Sequence, residues 1–205
     1  MSAETQFHVH HDAPEVIGRR ERLGVRLLIV ADGAFVFGMI FTYFYLRNLN
    51  LNGGWVPAEL GPDGGSGHTY SAGSGWLVTI PLIVTALLHR FGTKSGRANT
   101  GIAWIGVFSL AIGWYLQWKQ LSTMTVMLPE GGGFEGAYAS TWFLMGAANW
   151  LHYLLGIFVA LGIALRSRRT NLDPILEKWR QETAGSWLSW IAISGVAVAI
   201  TTSFV

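Results

Sequence analysis

The sequence contains no cysteine. That excludes disulfides, iron–sulfur clusters, Cys-bound zinc, a Cys-bound copper centre and thiol catalysis for this chain acting alone. Charge is also scarce. Asp, Glu, Lys and Arg make up 13% of the residues, about half the share of an ordinary soluble domain. The formal net charge of +2 is close to balance, so a nucleic-acid partner is not expected. The opening stretch MSAETQFHVHHDAPEVIGRRER has no apolar core, so it is not read as a signal peptide, and the first apolar segment is expected to direct insertion itself. No internal repeat or low-complexity segment is present. Two Gly-rich stretches, Asn50–Tyr70 and Pro129–Gly136, lack the Lys-Ser/Thr ending and the preceding strand of a phosphate loop. They read as solvated turns.

What is abundant is apolar sequence. Hydrophobic types reach 51% of the 205 residues, and there are ten Trp. An apolar helix of about twenty residues crosses the ~30 Å hydrocarbon core of a bilayer. Five such runs are visible, at about Leu23–Leu46, Ala72–His89, Ile102–Leu121, Ala139–Leu165 and Trp187–Val205. The expected fold is an all-α membrane protein: a polar cytoplasmic leader over residues 1–22, then a single bundle of five transmembrane helices over residues 23–205. Pro81 lies inside the second run, where the missing N–H favours a kink.

Orientation follows from Lys and Arg in the short connections. Arg19, Arg20, Arg22 and Arg26 surround the start of the first run. Arg90, Lys94 and Arg97 follow the second, and Arg166, Arg168, Arg169, Lys178 and Arg180 follow the fourth. The other connections offer only Arg47 and Lys119, with the acidic Glu59, Asp63, Glu130 and Glu135. The N-terminus is therefore expected in the cytoplasm and the C-terminus outside. Trp55, Trp76, Trp118, Trp142 and Trp187 fall near the expected helix ends, where amphipathic rings favour the headgroup level.

Few residues are equipped for chemistry. Asp32 lies about nine residues into the first helix, roughly 14 Å deep at 1.5 Å per residue. An ionisable group there costs at least ~2.5–3.5 kcal/mol to insert and is expected to face protein. It reads either as a proton-exchanging or lipid-organising carboxyl, or as a hydrogen-bonded lock on helix packing. His152 lies near the middle of the fourth helix beside Asn149. One buried His cannot hold haem iron or copper without further ligands, so packing or hydrogen bonding is the favoured role. Asp32 and His152 fall at similar depths, which allows a direct contact. Gln117 and Trp118 read as an interfacial polar end of the third helix. Ala34 and Gly38 fit the small-xxx-small spacing that lets helices approach closely, and Gly146 and Gly156 are further packing positions. His8, His10 and His11 in the leader offer imidazoles, but clustered His in a tail is more often incidental than a metal site. No Ser-His-Asp set and no paired intramembrane carboxylates can be assembled, so no catalytic, cofactor-binding or metal residue is assigned.

Two stretches resemble subunit III of the haem–copper oxidases in its short, five-helix prokaryotic form. The first is LGVRLLIVADGAFVFGMIFTYFYLR, Leu23–Arg47. It is similar to the family's aliphatic helix with a Ser/Ala-Glu or Asp step and a Phe-rich run ending in an aromatic pair and a basic residue. Asp32 falls on the family's buried carboxyl, and Phe35, Phe37, Phe41, Tyr43, Phe44 and Arg47 continue the likeness. The second is YASTWFLMGAANWLHYLLGIFVALGIALRSRR, Tyr138–Arg169, in which Gly146, His152 and Gly156 hold matching places. The sequence departs from the family pattern at several positions. Aspartate replaces the usual glutamate, Asn149 stands for the first His of a pair, Tyr153 replaces valine, and Gln117-Trp118 stands for a Glu-Tyr/Trp step. These departures suggest a divergent branch.

The resemblance implies an accessory subunit without redox metal, packed on subunits I and II of cytochrome c oxidase in a prokaryotic plasma membrane. It also implies bound phospholipid in a groove near the first and fourth helices, haem and copper in the partner subunits only, and a cytochrome bc-type complex as a neighbour. The complex would reduce dioxygen to water and translocate protons, with this chain itself not catalytic. A quinol oxidase or nitric oxide reductase accessory subunit is the near alternative. A small independent transporter is the distant one, since the sequence shows no inverted repeat.

Overall fold

The computed structural model describes residues 12–49, 55, 72–94, 96–126 and 137–204, with backbone only for 123–126. Five helices account for most of them: α1 (Pro14–Leu49), α2 (Ala72–Gly92), α3 (Thr100–Val126), α4 (Ala137–Ser167) and α5 (Pro174–Thr201). A short antiparallel hairpin, β1 (Thr93–Lys94) with β2 (Arg97–Ala98), joins α2 to α3. All five helices are long and apolar enough to cross a membrane. The shortest, α2, has 21 residues and so spans about 31 Å, enough for the ~30 Å hydrocarbon core. The protein is an all-α, multi-pass membrane bundle, the fold class expected from its sequence.

The helices extend beyond the expected apolar runs, most of all at two starts. α1 begins at Pro14 rather than Leu23, so part of the expected leader is helical. α5 begins at Pro174 rather than Trp187. Asp173 caps α5, its side chain accepting from the backbone N–H of Ile175 and Leu176 at 2.9 Å. Pro174 fits the first turn because its missing N–H would be unpaired there in any case. Hydropathy detects the lipid-buried part of a helix, not its polar turns outside. α2 runs through Pro81 without interruption.

The helices form a ring in the order α1, α5, α2, α3, α4, with α4 also packed on α5 across the middle. In the most apolar stretch of α4 and of α5, 44% of residues are buried within the chain, against 17% for α1. α4 and α5 are therefore the core helices, and α1 is peripheral. One apolar core cluster gathers Val36, Met39, Tyr43, Trp55, Tyr138, Trp142 and Met145, and a second gathers Leu82, Leu110, Tyr153, Ile163, Leu188 and Ile191. Trp142 and Trp187 are buried within the chain, and α5 begins at Pro174, so Trp187 does not lie near a helix end. Trp55 is also buried, edge-on to Tyr43 and Tyr138. Trp76 and Trp118 are exposed.

Small residues set the closest approaches. A Cβ at Gly113 would lie 2.3 Å from the Tyr153 ring and one at Gly156 would lie 2.8 Å from Ile191, so these glycines make room for their neighbours. Gly146 packs on Leu121 and Gln117. Ala34 and Gly38 are exposed, and nothing among the described residues lies within 4 Å of a Cβ at Gly38. Their small-xxx-small face points away from the bundle.

Candidate functional site

The helix ring brings α1, α4 and α5 together around Asp32. His152 Nε2 on α4 lies 3.0 Å from Asp32 Oδ1, and Trp190 Nε1 on α5 donates to Asp32 Oδ2 at 2.6 Å. His152 is buried, while the Asp32 side chain keeps 17% exposure. On the far side of the imidazole, Ser194 Oγ lies 3.4 Å from Nδ1 and donates to the Ile191 carbonyl at 3.0 Å. The Trp187 ring stands edge-on to the imidazole. Asp32 therefore does not face lipid unsatisfied: two donors from two helices answer its two oxygens, as an intramembrane acid requires.

This arrangement can hold a proton in two ways. A neutral imidazole donates from Nε2 to Asp32 and accepts at Nδ1, so the Ser194 hydroxyl turns towards it. An imidazolium donates from both nitrogens, and Ser194 then accepts while donating to the Ile191 carbonyl. Sequence reasoning identified Asp32 and His152 but missed Trp190 and Ser194. Trp190 gave no local signal, because an indole in an apolar run shows its polar edge only once packing aims it.

One turn away on α4, Asn149 Nδ2 donates to Gln117 Oε1 at 2.8 Å. Gln117 Nε2 reaches Gln120 Oε1 at 3.4 Å, and Gln120 donates to the Ser74 carbonyl at 2.7 Å. Gln117 is buried, and α3 runs on beyond it to Val126, so it does not close the helix. Asn149 Oδ1 is buried without a partner among the described residues. It lines a cavity of about 20 Å³ together with Thr79, Gln117, Gln120 and Thr202. That space has room for one water, which its polar lining would bind.

A third polar cluster, unforeseen in the sequence, sits at the basic end of the bundle. Arg166 on α4 donates from Nε to Glu177 Oε2 at 3.0 Å, and Glu177 is buried. Gln181 Nε2 donates to the other Glu177 oxygen at 2.8 Å, and His89 Nε2 donates to the Gln181 carbonyl at 3.0 Å. Arg180 grips Glu21 through two nitrogens. These bonds tie α1, α2 and α4 to the first turns of α5. The spacing of Glu177 and Gln181, four apart after a capped start, was the available signal.

Among the described residues no group of three His, Asp or Glu is placed to hold a metal ion. The leader histidines His8, His10 and His11 lie outside the described residues, as do Glu59, Asp63, Glu130 and Glu135. No protein-family model matches the chain, and no curated protein matches it.

Proposed function

We propose that this chain is the accessory, non-redox subunit III of a prokaryotic respiratory terminal oxidase. In this reading it packs on subunits I and II of a haem–copper enzyme in the plasma membrane. That enzyme takes electrons from cytochrome c, reduces dioxygen to water and translocates protons. The observation that carries the reading is a meeting point. The two segments that resemble subunit III, Leu23–Arg47 and Tyr138–Arg169, are joined by the Asp32–His152 hydrogen bond. The residues that hold the family's places thus form one site rather than two unrelated likenesses.

Two further features support it. α1 turns Phe35, Phe37, Phe41 and Tyr45 outwards beside the bare Ala34 and Gly38. Small residues on an outer membrane face allow close approach by a neighbouring helix. An apolar groove of about 260 Å³ opens between α1, α4 and α5, lined by Val25, Leu28, Leu155, Phe158 and Trp187. It suits a lipid acyl chain held at the edge of the bundle. The chemistry of such a complex belongs to subunit I; this chain's work is to steady that subunit and organise lipid around it.

Purification from native membranes in mild detergent, followed by a visible spectrum and a gel of co-purifying chains, tests the reading. The expected result is a larger partner carrying haem and copper, with no haem lost in an Asp32→Ala strain that still assembles. An iron-only partner would redirect the assignment to a nitric oxide reductase. A chain that purifies alone and transports a solute after reconstitution would refute it.

A further inference from the structure

At the basic end, the hairpin and the ends of α2 and α5 enclose a cavity of about 610 Å³. Three cations line it, Arg22, Arg90 and Lys178, against a single carboxylate, Glu182. Arg22 lies 3.6 Å from Glu182, whereas Arg90 and Lys178 form no ion pair among the described residues. A concave site with surplus Arg and Lys selects an anion, and Arg in particular matches phosphate oxygens.

The cavity does not end in water on its inner side. Through Ala86 and Ser189 it continues into an apolar furrow of about 360 Å³ along α2 and α5, lined by Ile83, Leu87, Ala192, Ile193 and Val196. A basic mouth above an apolar furrow matches the two ends of an anionic lipid. We propose that this is a binding site for one anionic glycerophospholipid. Its phosphate lies at Arg90 and Lys178, and an acyl chain lies between α2 and α5. Basic pockets between transmembrane helices hold such headgroups for the same electrostatic reason. The site is on the opposite side of α5 from the α1–α4 groove and does not depend on the oxidase assignment.

The full-length chain, stripped of lipid in mild detergent, is titrated with phosphatidylglycerol and with phosphatidylcholine of the same acyl chains. Native mass spectrometry reads lipid binding, and inorganic phosphate is tested by its effect on the thermal midpoint. Phosphatidylglycerol binds more tightly than phosphatidylcholine. The double variant R90Q/K178Q weakens it about thirtyfold, as the loss of two cations at a lipid phosphate implies. The variant abolishes the preference for phosphatidylglycerol over phosphatidylcholine and leaves the lipid-free midpoint unchanged, since neither side chain is in an ion pair among the described residues. Ala86→Phe, which narrows the junction with the furrow, weakens lipid binding without altering the response to phosphate. Equal binding of the two lipids, undiminished phosphatidylglycerol binding by R90Q/K178Q, or full stabilisation by inorganic phosphate alone would each overturn the proposal.

Discussion

Asp32 answers two donors at once, and its substitutions differ in what they strand. Asp32→Ala leaves His152 Nε2 and Trp190 Nε1 without their acceptor in a nearly dry site. Each buried group left unpaired costs about 1–3 kcal/mol. Asp32→Asn keeps one carbonyl oxygen, and Trp190→Phe removes only one donor. Thermal unfolding in detergent is expected to rank the three, with Asp32→Ala lowest and the other two between it and the parent chain. Equal midpoints for all three would mean that the cluster contributes nothing to packing. The sequence marked Asp32 and His152 because ionisable groups deep in an apolar run need partners. It was silent on Trp190 and Ser194, which become polar partners only when α5 turns them towards α4. The burial of Gln117 was not legible either, because it depends on Asn149 of α4 facing it.

At the scale of the element, two glycines on different helices make opposite forecasts. Gly113 on α3 faces the Tyr153 ring of α4, whose hydroxyl donates to the Val78 carbonyl of α2. Gly113→Ala forces that ring out of place, and overpacking of this kind costs about 1–3 kcal/mol. The thermal midpoint is expected to fall. A Cβ at Gly38 on α1 would touch nothing among the described residues. Gly38→Leu adds helix propensity and leaves the isolated chain as stable as before, while co-purification with the proposed larger subunit drops. A stable Gly113→Ala chain would contradict the packing, and undisturbed assembly with Gly38→Leu would clear that face of any docking role. The spacing of Ala34 and Gly38 was legible in the sequence, but whether it served this bundle or a neighbour was not. A helix's rotation is set by all its contacts, and α1 spends its other face, with Asp32, Val36, Met39 and Tyr43, on α4 and α5. The early start of α5 was legible in Asp173-Pro174, a cap followed by proline, and was hidden only because the apolar run begins later.

For the whole molecule, five helices put the two ends of the bundle on opposite sides of the membrane. The structure gathers Arg22, Arg90, Arg166, Lys178 and Arg180 at one end, where Arg180 is bonded to Glu21 and Arg166 to Glu177. By the positive-inside rule that end is expected in the cytoplasm. Because the chain has no cysteine, single substitutions report topology without background. Thr170→Cys is expected to resist an impermeant maleimide in intact cells, and Ser203→Cys to react; the reverse pattern would invert the orientation. A photo-crosslinking amino acid at Phe37, activated in native membranes, asks whether the proposed larger redox subunit covers the outward face of α1. One dominant adduct with a larger chain that carries haem is expected. Adducts with lipid alone, or with no chain other than this one, would contradict it.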